Sequence, residues 1–155
     1  MQGTDNDFFL SHLADGTRHR SGSIFMDFRN ASDFSDRNTI LYGHMLRSED
    51  MFGVLKHFRV QEFYDANYTM YIHTAERDYQ LVIFAVHLVN PAVEQPLITF
   101  ADDEEFINYL MQTKDRSLIS SDIVVGVDDK IVTLATCAYD FNNARLVVVG
   151  KLIPF

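Results

Sequence analysis

Short apolar runs that alternate or stay continuous over four to eleven residues dominate the chain, and most are rich in β-branched and aromatic residues. That pattern predicts strands. Ser23–Phe28 (SIFMDF) alternates, and Thr39–Tyr42 (TILY) is a second candidate. Tyr68–His73 and Tyr79–Val89 read as a strand pair around the polar turn Thr74–Asp78. Ile123–Val127, Lys130–Cys137 and Arg145–Ile153 supply three more, with a tight turn expected at Asp128–Asp129. Helical spacing appears twice. Met51, Phe52, Leu55 and Phe58 share one face over Met51–Phe58. In Asp102–Lys114, Asp102 and Glu105 form a capping box, and Phe106, Tyr109 and Leu110 give the apolar stripe. The acidic cluster Asp102–Glu105 is explained by the positive end of that helix without a calcium ion. The expectation is a mainly β (α+β) domain: a closed or nearly closed barrel of about seven to eight strands, with short helices in its connections.

Length adds that 155 residues form one domain with an ordinary core. Charge narrows the partners. With 13 basic and 22 acidic residues, the formal net charge is −9, which argues against nucleic acid and against an anionic membrane surface. No apolar run approaches the roughly 20 residues of a membrane span.

The single cysteine, Cys137, changes the picture most. One cysteine excludes an intrachain disulfide and a thiolate zinc cluster, and no pair of the six histidines has helical metal-site spacing. No metal and no cofactor is expected. Cys137 ends Ile131-Val-Thr-Leu-Ala-Thr-Cys, where Thr133, Ala135 and Cys137 share one face of a strand. If the runs on either side of residues 138–144 pair as a hairpin, Cys137 and Arg145 are neighbours at the mouth of the loop. A cation beside a thiol favours the thiolate and can bind an oxyanion. Spacing alone favours a buried, inert cysteine, since free cysteine is among the most buried residue types. Among the histidines, His44 follows Ile40-Leu41-Tyr42-Gly43 and so sits at a strand exit, where reactive groups are often mounted. His73 and His87 fall within strand patterns and read as structural.

These residues together resemble a known family. Thr133-Leu-Ala-Thr-Cys137 matches the TLxTC signature of sortases, and Arg145 follows at a spacing that family allows. Gly22–Asn30, Asp33–His44 with its Tyr42-Gly43-His44 exit, Met51–Leu55 and the helix at Asp102–Lys114 resemble class B sortases in particular. The resemblance runs from about Asp5 to Phe155. It implies a sortase barrel and a cysteine transpeptidase of Gram-positive bacteria, acting on the extracellular face of the cell membrane. Such enzymes cleave a C-terminal sorting signal of secreted surface proteins after threonine. They then pass the acyl group through a cysteine thioester to an amine of the peptidoglycan precursor.

Carried over by position, Cys137 is similar to the nucleophile, His44 to the general acid/base and Arg145 to the oxyanion-binding cation. Tyr42, Leu134, Ala135 and Thr136 match positions lining the family's substrate groove, as do Asn6 and Leu10. No acidic or amide side chain is identifiable as a partner for His44, so a slow enzyme with a bell-shaped pH profile is expected. Relative to the family pattern, residues 1–155 lack an N-terminal helix, the first barrel strand and a membrane anchor, which implies an exposed sheet edge open to self-association. Two other functions stay open: a catalytically silent, peptide-binding sortase-like domain, and a cysteine peptidase that passes the same thioester to water.

Overall fold

The computed structural model describes residues 1–136 and 144–155. Within them the chain builds six strands: β1 (Phe25–Met26), β2 (Asn38–Gly43), β3 (Thr69–His73), β4 (Asp78–Val89), β5 (Lys130–Thr136) and β6 (Arg145–Pro154). They form one sheet in the order β1-β2-β5-β6-β4-β3. Two α-helices, α1 (Gln61–Asn67) and α2 (Asp103–Asp115), and two 3-10 helices, Phe8–Leu10 and Gly53–Arg59, occupy the connections.

Among the pairings of these six strands, only one is not antiparallel. β2 and β5 run parallel, in register from Asn38 opposite Ile131 to Gly43 opposite Thr136. Parallel strands need a long crossover, and here it contains β3, β4 and every helix except Phe8–Leu10. β5 and β6 form the expected hairpin, with Ala135 opposite Val147. β4 and β6 pair from Tyr79 opposite Pro154 to Val89 opposite Arg145, with a register shift between Ile83 and Ala85.

The strands alternate their side chains between two cores. Val132 and Leu134 of β5 and Leu146 and Val148 of β6 face a core roofed by Leu55, Phe58 and Tyr64. Ile131, Ala135, Val147 and Val149 face the opposite core, roofed by Phe106 and Leu110 of α2. Each buried Phe or Leu of these roofs stabilises the fold by about 1.5–3 kcal/mol. α2 starts as its capping box requires: the Asp102 carboxylate accepts from the Glu105 N–H at 2.8 Å. Asp103, Glu104 and Glu105 crowd its positive end, and Lys114 lies in its last turn.

The mainly β class matches the expectation, but the strand count is six among the described residues rather than seven to eight. Ile123–Val127 is not a strand. Side-chain donors take its carbonyls instead: Lys114 Nζ bonds the Ile123 carbonyl at 2.9 Å and Lys151 Nζ the Val124 carbonyl at 3.3 Å. Ile123 and Val125 still pack against the core under α2, which explains their apolar character. The expected helix at Met51–Phe58 is a 3-10 helix over Gly53–Arg59, followed by α1. The sheet is open, with β1 and β3 at its two edges. No helix of the described residues is long and apolar enough to cross a membrane.

Candidate active site

The parallel register of β2 and β5 sets the level of the site. Gly43 pairs with Thr136, so the two strands end together, and His44 is the next residue after β2. Cys137 is the next residue after β5 in the chain and lies outside the described residues. Arg145 opens β6 at the same end of the sheet, opposite Val89, and is half-buried. Among the described residues, His44 and Arg145 thus lie at one end of the sheet, because a rigid register fixes where each strand stops.

The face is set by alternation. Ile40 and Tyr42 of β2 and Val147 and Val149 of β6 point into the core under α2. His44 and Arg145 continue those two phases. Phe9 and Leu10 pack onto the same core from the N-terminal segment.

His44 has an orienting partner that no side-chain pattern announced. Its Nε2 lies 2.6 Å from the Leu10 carbonyl oxygen. A carbonyl only accepts, so Nε2 carries the proton, and the lone pair of the neutral ring is on Nδ1. The backbone behind it is held as well, since the His44 carbonyl accepts from the Phe52 N–H at 2.9 Å. Phe52 in turn lies against Gly43, where a Cβ would come within 2.8 Å of its ring.

The other predicted groove residues are placed as follows. Leu134, Ala135 and Thr136 are buried. The Thr136 Oγ1 accepts from the Leu146 N–H at 3.0 Å and helps to close the β5–β6 pair. Tyr42 is only 4% exposed, and its hydroxyl donates to Asp27 Oδ2 at 3.0 Å. Asn6 donates from Nδ2 to the same oxygen at 3.0 Å and accepts at Oδ1 from the Phe28 N–H. Leu10 contributes its carbonyl to His44.

Asp27 is therefore the hub that sequence reasoning missed. It is fully buried and also receives the Arg29 N–H at 3.0 Å, Nε at 2.9 Å and a second guanidinium nitrogen at 2.8 Å. Burial pushes its carboxyl up, but the donors of Arg29 and Tyr42 outweigh burial and hold it below the usual range. Burial first, and then the Asp27 charge, push the Tyr42 hydroxyl well up, with the charges of Arg29 and Arg145 opposing. An acidic residue in the inward phase of an alternating strand (Phe25, Asp27) was the available signal, since a buried carboxylate demands partners.

His73 and His87 lie in β3 and β4, as their strand patterns predict. His73 is exposed and pairs with Asp78 at 2.9 Å, while His87 is 2% exposed. Among the described residues, no three His, Cys, Asp or Glu side chains come together as a metal site.

This fold and this arrangement of strand ends define a known class of protein. The family model described as Sortase domain matches residues 3–153, and the chain belongs to the sortase family. It is 34% identical over 155 residues to Sortase B of Listeria monocytogenes, covering 99% of this chain and 63% of that protein. It is 37% identical to Sortase B of Staphylococcus aureus, covering 99% of this chain and 64% of that protein. The chain thus spans a little under two thirds of the length of these curated relatives. The crystal structure of Staphylococcus aureus Sortase B superposes with a TM-score of 0.93 at 37% identity, covering 100% of this chain and 74% of that one. A Staphylococcus aureus sortase B–substrate complex gives 0.93 at 36% identity, covering 99% and 72%. The class B resemblance read from the sequence and the mainly β architecture with short helices agree with these relatives.

Proposed function

We propose that this chain is the catalytic domain of a class B cysteine transpeptidase. In this reading it cleaves a C-terminal sorting signal after threonine and transfers the acyl group to a cell-wall amine on the outer face of a Gram-positive membrane. The observation that carries the reading is the common termination of β2 and β5, with Gly43 opposite Thr136 and Arg145 opening the adjacent strand, which supports a site built from the residues that follow these strand ends. The solved relatives include a sortase B–substrate complex and a Sortase B complexed with Gly3, which supports a peptide acyl donor and an amine acceptor.

The Cys137 thiolate attacks the threonine carbonyl carbon, and Arg145 holds the developing oxyanion. The C–N bond breaks as His44, in its imidazolium form, passes the Nδ1 proton to the departing amine. A thioester to Cys137 remains. An incoming amine gives a proton to Nδ1 as it attacks, and the thiolate leaves. Throughout, Nε2–H stays on the Leu10 carbonyl, so one ring nitrogen is structural and the other exchanges protons.

Incubation with a library of sorting-signal peptides, followed by intact-mass spectrometry, tests the reading. The expected result is an acyl adduct on Cys137, absent in Cys137→Ala, that transfers to an added amine. Discharge to water alone makes the chain a peptidase, and no adduct with any peptide makes it a binding module. Arg145→Lys keeps the charge but loses the planar fork, and should lower turnover at least about tenfold.

A further inference from the structure

We propose that Asp27 is a positioning residue for the His44 imidazole, acting through Asn6 and the Leu10 carbonyl. The inference rests on the catalytic reading of His44 given above. Its direct readout does not require activity.

Two chain segments meet at the His44–Leu10 bond, and neither is held there by its own element. His44 has just left β2, and Leu10 ends a 3-10 helix of three residues, Phe8–Leu10. A 2.6 Å hydrogen bond between such segments persists only if something fixes the gap between them. Asp27 bonds both. Through Oδ2 it accepts the hydroxyl of Tyr42, two residues before His44 on β2. Through the same oxygen it accepts Nδ2 of Asn6, four residues before Leu10.

The Asn6 amide is held at both ends, because its Oδ1 takes the Phe28 N–H at 3.0 Å. Between Asn6 and Leu10 the path is short and bonded. Asp5 Oδ1 accepts the Asp7 and Phe8 N–H groups at 2.8 Å each, and Leu10 N–H bonds the Asp7 carbonyl at 3.1 Å. Arg29 grips Asp27 through Nε and a terminal guanidinium nitrogen, one to each carboxylate oxygen, and so fixes where the carboxylate points. A second constraint closes the same gap from the far side. Gly22 has φ of +54°, and a Cβ there would lie 2.6 Å from the Leu10 oxygen and 2.4 Å from the Phe9 oxygen. The Leu10 carbonyl is therefore packed against backbone on one side and tied through Asn6 and Asp27 on the other.

This assigns Asn6 a different task from substrate contact. A substrate-contacting Asn6 affects mainly KM. An Asn6 that places the general acid/base affects mainly kcat.

The test uses Asn6→Ala and Asp27→Asn with His44 labelled for NMR. A ring N–H bonded this closely to a carbonyl exchanges slowly with water and gives a downfield His44 Nε2–H resonance. The wild type should show that resonance, and both variants should lose it or broaden it beyond detection. Both should lower kcat about tenfold with KM changed less than about twofold, the scale of one hydrogen bond. Asn6 is only half-buried, so Asn6→Ala keeps the fold and decides the matter if Asp27→Asn does not fold. An unchanged His44 resonance in Asn6→Ala, its absence from the wild type, or a rise in KM at constant kcat overturns the proposal. A wild type without transpeptidase activity whose His44 resonance still responds to both variants overturns the catalytic reading and leaves the positioning intact.

Discussion

His87 should make the protein acid-sensitive well above the pH at which carboxylates titrate. It lies in β4, 2% exposed, and its Nδ1 has no hydrogen-bond partner among the described residues. Burial, and secondarily the Arg116 guanidinium, lower its pKa from 6.5 to about 3. Arg116 is itself paired with Glu94 at 2.6 Å. The folded state therefore keeps His87 neutral, while the unfolded chain protonates it near about 6.5. The unfolded state binds more protons over this window, so stability is fully present above about pH 6.5 and falls as pH drops toward about 3.

At about 1.36 kcal/mol per pH unit, the loss between pH 7 and pH 4 is roughly 3 kcal/mol from this residue alone. That is a large part of the roughly 5–15 kcal/mol a domain of this size has. Urea unfolding followed by circular dichroism at pH 7 and pH 4, for wild type and His87→Gln, isolates it, because the other acid groups are common to both. The wild type should lose about 3 kcal/mol more than the variant on acidification. Equal losses, within about 0.5 kcal/mol, would refute the reasoning.

Three other outcomes are expected. Tyr42→Phe removes one donor from a buried carboxylate and should cost about 1–2 kcal/mol. That appears as a fall in Tm of about 3–6 °C, and the deficit should fade as acid protonates Asp27. Phe106→Ala empties a fully buried site beneath the Arg37 guanidinium, which lies 5.1 Å from the ring centroid, and should cost about 3–5 kcal/mol in urea unfolding. Gly43→Ala drives a methyl into the Phe52 ring and should destabilise by about 1–3 kcal/mol. Because the Phe52 N–H holds the His44 carbonyl, turnover should fall with it, and unchanged turnover would show that the ring yields.

How much of this was legible in the sequence depends on what each feature is made of. β4 and β6 were plain because long apolar β-branched runs bury on both faces. Ser23–Phe28 shrank to Phe25–Met26 because the next residue, Asp27, turns its side chain to Arg29, Tyr42 and Asn6 and its carbonyl to the Asn30 N–H. α1 was missed because Gln61–Asn67 buries only Tyr64, too little for a helical stripe. Among the candidate residues, Cys137, His44 and Arg145 stood out because Thr133–Cys137, Tyr42–His44 and the following Arg145 match a family signature in order. The partner of His44 is a main-chain carbonyl, which every residue has, so no letter of the sequence marks Leu10 for that role.

The strand order β1-β2-β5-β6-β4-β3 also governs when the domain can exist. The two central strands are the last made. Until residues 130–154 are available, β1–β2 and β3–β4 are separate two-stranded ribbons, and such ribbons are marginal in water. A chain folding as it emerges therefore has nothing to nucleate on until its final strands arrive to join the halves. Contacts of such long sequence separation make folding slow. The apolar faces of β2 and β4 are exposed for that whole interval, when capture by a chaperone or by another chain competes with folding.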